Sequence, residues 1–201
     1  MKVIKVRPHG FASNSYILSA DGKSAVLIDC AQTHAYSVCE RENLVPEYVL
    51  LTHGHFDHVG GCGKFFKDGA KICCGEKEAP LIFSAENSGL FGGVYIPEFE
   101  IYRTFSDGEE TELCGLKIKV IETPGHTAGG VCYLIGDCLF TGDTLFRLGV
   151  GRCDLPTGDG AQLINSVKKL FALKGDYKVY CGHDEDTTLE YERENNPYVK
   201  V

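Results

Sequence analysis

Three histidines and one aspartate lie within six consecutive residues of this chain, in the run His53-Gly54-His55-Phe56-Asp57-His58. Imidazole nitrogens and carboxylate oxygens are side-chain groups that bind divalent transition metals. Residues 48–52 before this run are short, apolar and β-branched, which predicts a buried strand. Side chains on a strand alternate between its faces, so we expect the ligands to converge on a turn after it.

Three further candidate ligands each follow a short apolar run elsewhere in the chain. They are His126, Asp143 and His183, which come after residues 116–121, 138–140 and 177–180. A glycine or proline close to each lets the chain turn sharply. Four strand ends are therefore predicted to supply metal ligands. His9 and His34 have no such setting, and we expect each to be a surface or core residue.

The composition is typical of a single globular domain, which we expect to span residues 1–201. The net charge is −8, and the absence of clustered Lys and Arg argues against nucleic-acid binding. Residues 1–8 lack the apolar stretch of a signal peptide, and no run of about 18 apolar residues predicts a membrane helix. We therefore expect a cytoplasmic protein that binds neither nucleic acid nor membrane.

Ten cysteines are scattered along the chain without a C-x-x-C motif. In a reducing compartment we expect free thiols that pack as small apolar side chains. Cys30, Cys153 and Cys181 border the candidate ligand loops, where oxidation or additional metal ligation is conceivable. The cysteines leave open a non-enzymatic alternative, a metal-binding or redox-sensing module.

Apolar periodicity and turn residues predict strands interleaved with helices in both halves of the chain. The predicted strands are 15–19, 25–28, 48–52, 71–73, 102–104, 116–122, 131–135, 138–141 and 177–180. The predicted helices are 34–43, 60–67, 76–83, 160–172 and 187–195. Residues 84–100 are interpreted as an irregular connection. We expect two sheets with helices on their outer faces, so that the strand-end loops of both halves meet at one edge.

The order H-x-H-x-D-H, His, Asp, His resembles the ligand pattern of the metallo-β-lactamase superfamily. The segments 142–146 (GDTLF) and 151–154 (GRCD) resemble its glyoxalase II-like branch, whose members hydrolyse hydroxyacylglutathione. The resemblance extends over nearly the whole chain, from residues 14–16 and 27–29 to 192–198. It implies an α/β fold, the αββα four-layer sandwich of the metallo-β-lactamase type, in a short form without the C-terminal helical domain of full-length glyoxalase II.

The resemblance also implies a site for two divalent metal ions. One ion would be held by His53, His55 and His126, and the other by Asp57, His58 and His183, with Asp143 bridging them. Imidazole and carboxylate ligands suit Zn²⁺, Fe²⁺ and Mn²⁺. We expect zinc first, with iron or manganese as alternatives.

These features predict a dinuclear metallohydrolase that acts on a small molecule. Two divalent ions acidify a bridging water, and the resulting hydroxide attacks a carbonyl. A thioester suits this reaction because a thiolate leaves without strong acid assistance. Asp57 is the candidate for orienting the hydroxide and passing a proton. Arg152 is the candidate for binding a substrate carboxylate, unless it forms a structural ion pair with Asp154 or Asp159.

Several alternative activities share parts of this pattern. A mononuclear iron persulfide dioxygenase carries a similar G-x-G-R-x-D segment, and lactonases share the ligands. β-Lactam hydrolysis is disfavoured because the best-known zinc β-lactamases have Cys where this chain has Asp143. Flavodiiron proteins have Glu where it has His55. RNA-processing relatives are disfavoured by the acidic charge. The sequence is compatible with a monomer or a homodimer.

Overall fold

Two six-stranded β-sheets form the centre of this computed structural model, which describes residues 1–84 and 98–200. In the first sheet the strands lie side by side in chain order. They are β1 (Lys2–Val6), β2 (Ser15–Ser19), β3 (Ser24–Ile28), β4 (Val45–Leu50), β5 (Lys71–Gly75) and β6 (Ile101–Phe105). Strands β1 to β3 are antiparallel, whereas β3 to β6 are parallel.

The second sheet is mostly antiparallel. Its strands are β7 (Glu110–Leu113), β8 (Leu116–Glu122), β9 (Val131–Ile135), β10 (Cys138–Gly142), β13 (Lys178–Cys181) and β14 (Thr187–Thr188), in the spatial order β14-β13-β10-β9-β8-β7. Only the β10–β13 pair is parallel. A small hairpin of β11 (Leu145–Phe146) and β12 (Gly149–Val150) lies between β10 and β13 in the chain.

Helices of the described residues occur in both halves of the chain. They are α1 (His34–Arg41), α2 (Phe56–Val59), α3 (Cys62–Lys67), α4 (Ala79–Ile82), α5 (Gly160–Phe171) and α6 (Leu189–Asn195). Helix α5 begins where the Asp159 side chain accepts a hydrogen bond from the Gln162 amide. Helix α6 begins at the equivalent cap by Thr188. None of the helices in residues 1–84 and 98–200 is long and apolar enough to cross a membrane.

Three buried apolar layers lie between the sheets and the helices, so that the helices and sheets themselves form four layers. The middle layer joins the two sheets, for example through Leu50 and Phe105 of the first and Tyr133 and Phe140 of the second. One outer layer lies between the first sheet and helices α1 and α3. The other lies between the second sheet and helix α5. This arrangement is the predicted αββα sandwich. A single domain over residues 1–201 stays a prediction.

Burial on both faces explains the uninterrupted apolar runs of the sequence. Along β3, Val26 and Ile28 belong to the middle layer, whereas Ala25 and Leu27 belong to the outer layer. Each strand of this kind is apolar at every position because neither face meets water. Strand β8 differs, because its exposed Lys117 and Lys119 alternate with buried residues.

The structure adds elements that the sequence did not predict. Strands β1, β7, β11, β12 and β14 were not expected, and residues 187–195 divide into β14 and α6. The predicted helix at 76–83 is a single turn, α4. Residues 56–59 form the one-turn helix α2, where we expected only a turn. Most of the predicted connection at 84–100 lies outside the described residues.

All ten cysteines lie within the described residues, and each is a free thiol. Eight are buried, as expected for small apolar side chains. Burial raises the pKa of Cys132 to about 11 and of Cys181 to about 12. Such thiols carry almost no thiolate at neutral pH and react slowly. This chemistry disfavours the redox-sensing alternative for the buried cysteines.

Candidate metal centre

Strand-end loops of both sheets meet at one edge of the sandwich and bring the seven candidate ligands together. His53 and His55 follow β4, and helix α2 carries Asp57 and His58. The second sheet supplies the other three ligands. His126 lies in the β8–β9 loop, Asp143 follows β10 and His183 follows β13. The predicted origin of the site, four strand ends, is therefore observed.

The ligand atoms form overlapping sets in which all members lie within 4.8 Å of one another. The sets are His53/His55/His126, His53/His58/Asp143 and Asp57/His58/His183. His55 Nδ1 lies 2.9 Å from His126 Nε2, and His183 Nε2 lies 3.2 Å from Asp57 Oδ2. Atoms that each bind one ion at about 2.0–2.1 Å lie roughly 3 to 3.5 Å apart. The measured spacings fit shared metal ions.

Asp143 lies between the two outer sets. Its Oδ1 is 3.2 Å from His58 Nε2, and its Oδ2 is 3.5 Å from both His126 Nε2 and His183 Nε2. One carboxylate therefore approaches histidines of both sets with different oxygens. This geometry suits a bridging ligand.

Hydrogen bonds on the far side of the imidazoles fix which nitrogen faces the site. His126 Nδ1 lies 2.7 Å from the Arg152 carbonyl oxygen, and His58 Nδ1 lies 2.8 Å from Asp29 Oδ2. Neither oxygen has a proton to donate, so both Nδ1 atoms carry the proton and donate it. In the neutral form of each ring, which is the form that binds metal, the Nε2 atom then has its lone pair directed at the cluster.

Asp29 also determines which nitrogen of His53 carries the proton, and it does so through Thr52. The Asp29 carboxylate accepts hydrogen bonds from the Thr52 amide and from Thr52 Oγ1, each at 2.8 Å. Thr52 Oγ1 donates its only proton to Asp29. It therefore accepts a hydrogen bond from the protonated His53 Nδ1, which lies 3.1 Å away. A single buried carboxylate thus directs Nε2 of both His53 and His58 toward the cluster.

Three buried polar atoms of the cluster have no hydrogen-bond partner among the described residues: His53 Nε2, His58 Nε2 and Asp143 Oδ1. The last two lie 3.2 Å apart, yet do not meet hydrogen-bond geometry. Burial of polar atoms without partners is costly, and metal coordination would satisfy all three. The donor set therefore fits divalent metal ions.

Protonation states also suit metal binding. Burial, reinforced by the electrostatic influence of the neighbouring His126, lowers the pKa of His55 to about 4. Burial raises the pKa of Asp143, but His58 and His126 more than offset this and hold it below its ordinary value. At neutral pH His55 is an uncharged imidazole and Asp143 an anion, which are the forms that bind metal.

Glu78 fastens two ligand loops to each other. It is buried, and its Oε1 accepts a hydrogen bond from the Gly54 amide at 2.8 Å, whereas its Oε2 accepts one from Thr127 Oγ1 at 2.7 Å. Gly54 lies between His53 and His55, and Thr127 follows His126. The Glu78 carboxylate therefore holds together both loops that supply the first ligand set.

Gly182 leaves room for the ligands beside it. A Cβ atom at this position would collide with Asp143 Oδ1 and lie 2.9 Å from His58 Cε1. The glycine that precedes His183 is thus required by close packing against the site.

The cluster forms the floor of an open cavity of about 700 Å³. His55, Asp57, His126, Asp143 and His183 line it from the protein interior. The remaining lining residues of the described chain are Phe11, Phe56, Phe146, Arg152 and Leu155. A cavity of this size holds a small organic molecule.

Arg152 lies at the rim and forms an ion pair with Asp154. Its Nε and Nη2 donate to the two carboxylate oxygens at 2.7 and 2.9 Å. Asp159, the other predicted partner, instead caps helix α5. Arg152 therefore forms the ion pair that the sequence offered as its structural alternative, and it is also one of the residues that line the cavity.

Sequence reasoning found all seven clustered side chains but missed Asp29 and Glu78. Asp29 had a signal, since a lone carboxylate directly follows the buried strand beside β4. Glu78 had none, because it lies in a polar segment between elements. His9 and His34 belong to none of the candidate metal-ligand clusters found within the described residues.

Comparison with known proteins places these features in a family. The family model of the metallo-beta-lactamase superfamily matches residues 9–183. The chain is 33% identical over 198 residues to the hydroxyacylglutathione hydrolase GloC of Haemophilus influenzae, covering 94% of this chain and 93% of that protein. It is 37% identical over 179 residues to a hydroxyacylglutathione hydrolase of Brucella ovis, covering 86% of this chain and 63% of that enzyme.

Solved structures show the same fold. The BLEG-1 B3 metallo-beta-lactamase superposes with a TM-score of 0.92 at 29% identity, over 100% of both chains. TTHA1623 in a di-iron-bound form has a TM-score of 0.84 at 30% identity, over 99% of this chain and 100% of that one. ETHE1 from Myxococcus xanthus has a TM-score of 0.78 at 27% identity, over 98% and 84%. With its fold, its histidine and aspartate cluster and these relatives, the chain belongs to the metallo-β-lactamase superfamily, in the glyoxalase II-like branch.

Proposed function

We propose that this metal-binding hydrolase is a dinuclear enzyme that cleaves thioesters. The observation that carries the proposal is the pair of complete ligand sets connected by Asp143 at the floor of an open cavity. A purely structural metal site would be closed by protein ligands, whereas this one faces a space large enough for a substrate.

In this proposal, His53, His55 and His126 hold one ion and Asp57, His58 and His183 the other, with Asp143 shared. Zinc is the expected metal. The di-iron-bound relative supports iron as an alternative, and manganese is compatible with the same ligands.

When bound, such ions supply an acidified water and polarise the substrate carbonyl. Asp57 is the residue we assign to orienting that water and accepting its proton. Its carboxylate lines the cavity and lies 3.2 Å from His183, while its burial is incomplete at 15% side-chain exposure. Burial raises the pKa of Asp57, but the neighbouring His58 and a hydrogen bond from His183 outweigh it and keep the pKa below its ordinary value, so the carboxylate is ionised at neutral pH.

The leaving group is inferred from how much acid assistance it needs. Among the described residues that line the cavity, the titratable groups are all candidate metal ligands apart from Arg152, which stays protonated. A thiolate needs little such assistance, since its conjugate acid has a pKa near 8.5. This supports a thioester over an amide, and Arg152 is then the side chain available to contact an anionic part of the substrate.

The test combines elemental analysis of the purified protein with hydrolysis of a thioester panel by wild type and Asp143→Ala. We expect two metal ions per chain in the wild type. The variant should lose metal and at least about 10³-fold in kcat/KM, since several kcal/mol of charge stabilisation depend on the ions. Asp137→Ala, at an exposed aspartate far from the cavity, is the matched control. A variant with both metals and full turnover would refute the site.

The panel also distinguishes the competing activities. The similarity to a B3 metallo-beta-lactamase makes a β-lactam a necessary member, despite Asp143. One iron per chain with oxygen uptake on a persulfide would identify a persulfide dioxygenase instead. The second set, Asp57, His58 and His183, offers a place for a further ion, so the number of metal ions per chain separates the two activities. Opening of a lactone would identify a lactonase.

The remaining proposals concern partners and location. The acidic charge of −8 supports a small-molecule substrate in preference to a nucleic acid. A monomer or homodimer in the cytoplasm stays a prediction, which gel filtration and cell fractionation would test.

A further inference from the structure

Four apolar side chains line the cavity together with the ligand cluster. We call Phe11, Phe56, Phe146 and Leu155 the apolar wall. Phe11 is 95% exposed, although exposing a phenylalanine ring to water is unfavourable by about 25 cal/mol per Å² of surface. Large apolar side chains that stay exposed beside a cavity commonly mark a ligand contact.

The segment that follows Phe11 is anchored to the metal loops. The Ser13 amide donates to the Asp57 carbonyl oxygen at 3.0 Å, and the Asn14 amide donates to the Gly182 carbonyl oxygen at 2.7 Å. Both acceptors belong to loops that supply the second ligand set. Phe11 is two residues from this anchor, so its place at the cavity follows from the ligand loops and is not that of an unrelated surface loop.

Phe146 is positioned with comparable precision. It belongs to the β11–β12 hairpin, and its ring centroid lies 6.1 Å from that of His183. The buried Glu192 carboxylate holds the hairpin turn by accepting a hydrogen bond from the Leu148 amide at 2.9 Å. The apolar wall therefore continues to the edge of the ligand cluster.

Charge in the cavity is poorly matched to glutathione. Glutathione carries two carboxylates and one ammonium group, and recognition of such groups needs charged partners. Among the lining residues of the described chain, Arg152 is the single Lys or Arg, and both oxygens of Asp154 already occupy it. The carboxylates of glutathione, placed in this cavity, would lie near the negatively charged Asp154 and the apolar wall.

We propose that the substrate of this enzyme carries a bulky apolar group, aryl or branched alkyl, that packs against the apolar wall while its thioester carbonyl meets the metal site. This inference rests on the proposed thioesterase function and names the substrate class. The apolar group belongs to the acyl side or to the thiol side of the thioester, and the two sources share the same recognition chemistry.

The test uses the metal-loaded enzyme and thioesters that differ in one group at a time. Acetyl-N-acetylcysteamine is the reference, phenylacetyl-N-acetylcysteamine places the ring on the acyl side, and S-benzyl thioacetate places it on the thiol side. Lactoylglutathione is the charged competitor. We expect kcat/KM for one of the two aromatic thioesters to exceed that for both the reference and lactoylglutathione by about tenfold or more.

Phe11→Ala should lower the ratio of kcat/KM between the preferred aromatic thioester and the reference by about tenfold, because the variant removes the ring contact. Tyr102→Ala is the matched control, since Tyr102 is an aromatic residue that is 61% exposed and does not line the cavity. An unchanged ratio in Phe11→Ala, or a preference for lactoylglutathione, would overturn the inference.

A binding measurement separates failure of this inference from failure of the proposed function. A thioether analogue of the aromatic thioester, with CH₂ in place of the carbonyl, cannot be hydrolysed, and its affinity is measured by calorimetry. Wild-type protein should bind it at least about tenfold more tightly than Phe11→Ala does. If no thioester is hydrolysed but this difference is found, the thioesterase proposal fails while the apolar site stands. Equal affinities would refute the apolar site.

Discussion

The floor and the rim of the cavity are built in opposite ways. At the floor, His58 has no exposed side-chain surface, and its outer nitrogen is held by the buried Asp29. At the rim, Arg152 and Asp154 are 56% and 68% exposed and bind mainly each other, while Phe11 lies almost entirely in solvent.

In the proposed enzyme, this difference separates the residues that position the candidate metal ligands from those that would contact the substrate. Floor residues are fixed by several partners each, so a change at one of them shifts metal ligands. Rim residues have few partners and tolerate change, so they can differ without loss of the metal site. We therefore expect floor variants to alter metal content or stability, and rim variants to alter only substrate preference.

After the loss of Asp143 itself, the largest expected effect comes from filling the space beside the floor. Gly182→Ala places a Cβ atom against Asp143 Oδ1 and His58. Because a ligand shift of about 1 Å costs roughly 10²-fold in rate, kcat/KM should fall by that factor or more and metal content should fall below that of wild type. Elemental analysis and steady-state kinetics measure both. Gly149→Ala, whose nearest neighbour would be Phe146 Cβ at 3.5 Å, should retain both metals. A fully active Gly182→Ala enzyme would contradict the floor geometry.

The second-largest expected effect comes from weakening the hydrogen bonds that orient the histidine ligands. Asn at position 29 tolerates the backbone φ of 54°, but Asp29→Asn loses one of the acceptor oxygens that set the proton positions on His53 and His58. Loss of such a partner weakens metal affinity about 10- to 100-fold. Competition with a chromophoric chelator measures this affinity. Asp21→Asn, in the exposed β2–β3 turn, should bind metal as wild type does. Equal affinities in the two variants would remove the positioning role of Asp29.

Glu78→Gln tests stability at the floor. The glutamine amide offers one acceptor oxygen, so one of the donors from Gly54 and Thr127 loses its partner. A buried unsatisfied donor costs about 1–3 kcal/mol of unfolding free energy. Urea denaturation of metal-free protein measures the loss, with Glu76→Gln on the exposed side of the same segment as the control. If both variants unfold at the wild-type urea concentration, Glu78 does not hold the loops together.

The smallest effect belongs to the rim. Asp154→Asn frees the Arg152 guanidinium and should raise kcat/KM for an anionic thioester by about two- to fivefold, without changing metal content. The hydrogen bonds from Arg152 lower the pKa of Asp154 to about 2. A lowered carboxylate pKa means that the pair is lost only as pH falls toward 2, so it should cause no change in wild-type kinetics between pH 5 and 9. Asp137→Asn is the control, and a loss of metal in Asp154→Asn would contradict the rim assignment.

The elements predicted correctly are those whose pattern is local. Strand β8 was predicted with its observed bounds because buried Leu116, Ile118 and Val120 alternate with lysines. Strand β14 was missed because its two residues are a strand only through pairing with β13. The β11–β12 hairpin was missed because Arg147 and Leu148 form its turn without the usual Gly or Asn, and Leu148 has a positive φ of 56°.

The sequence by itself determined the four-layer fold and which side chains cluster as candidate ligands, because His and Asp after apolar strands are recognisable from residue type and spacing alone. Only the tertiary structure decided which residues control that cluster. Asp29 and Glu78 act across sheets and loops, and Phe11 reaches the cavity because its loop is hydrogen-bonded to Asp57 and Gly182. Such contacts join residues far apart in the chain, and their geometry depends on how the two sheets pack, which no local pattern encodes.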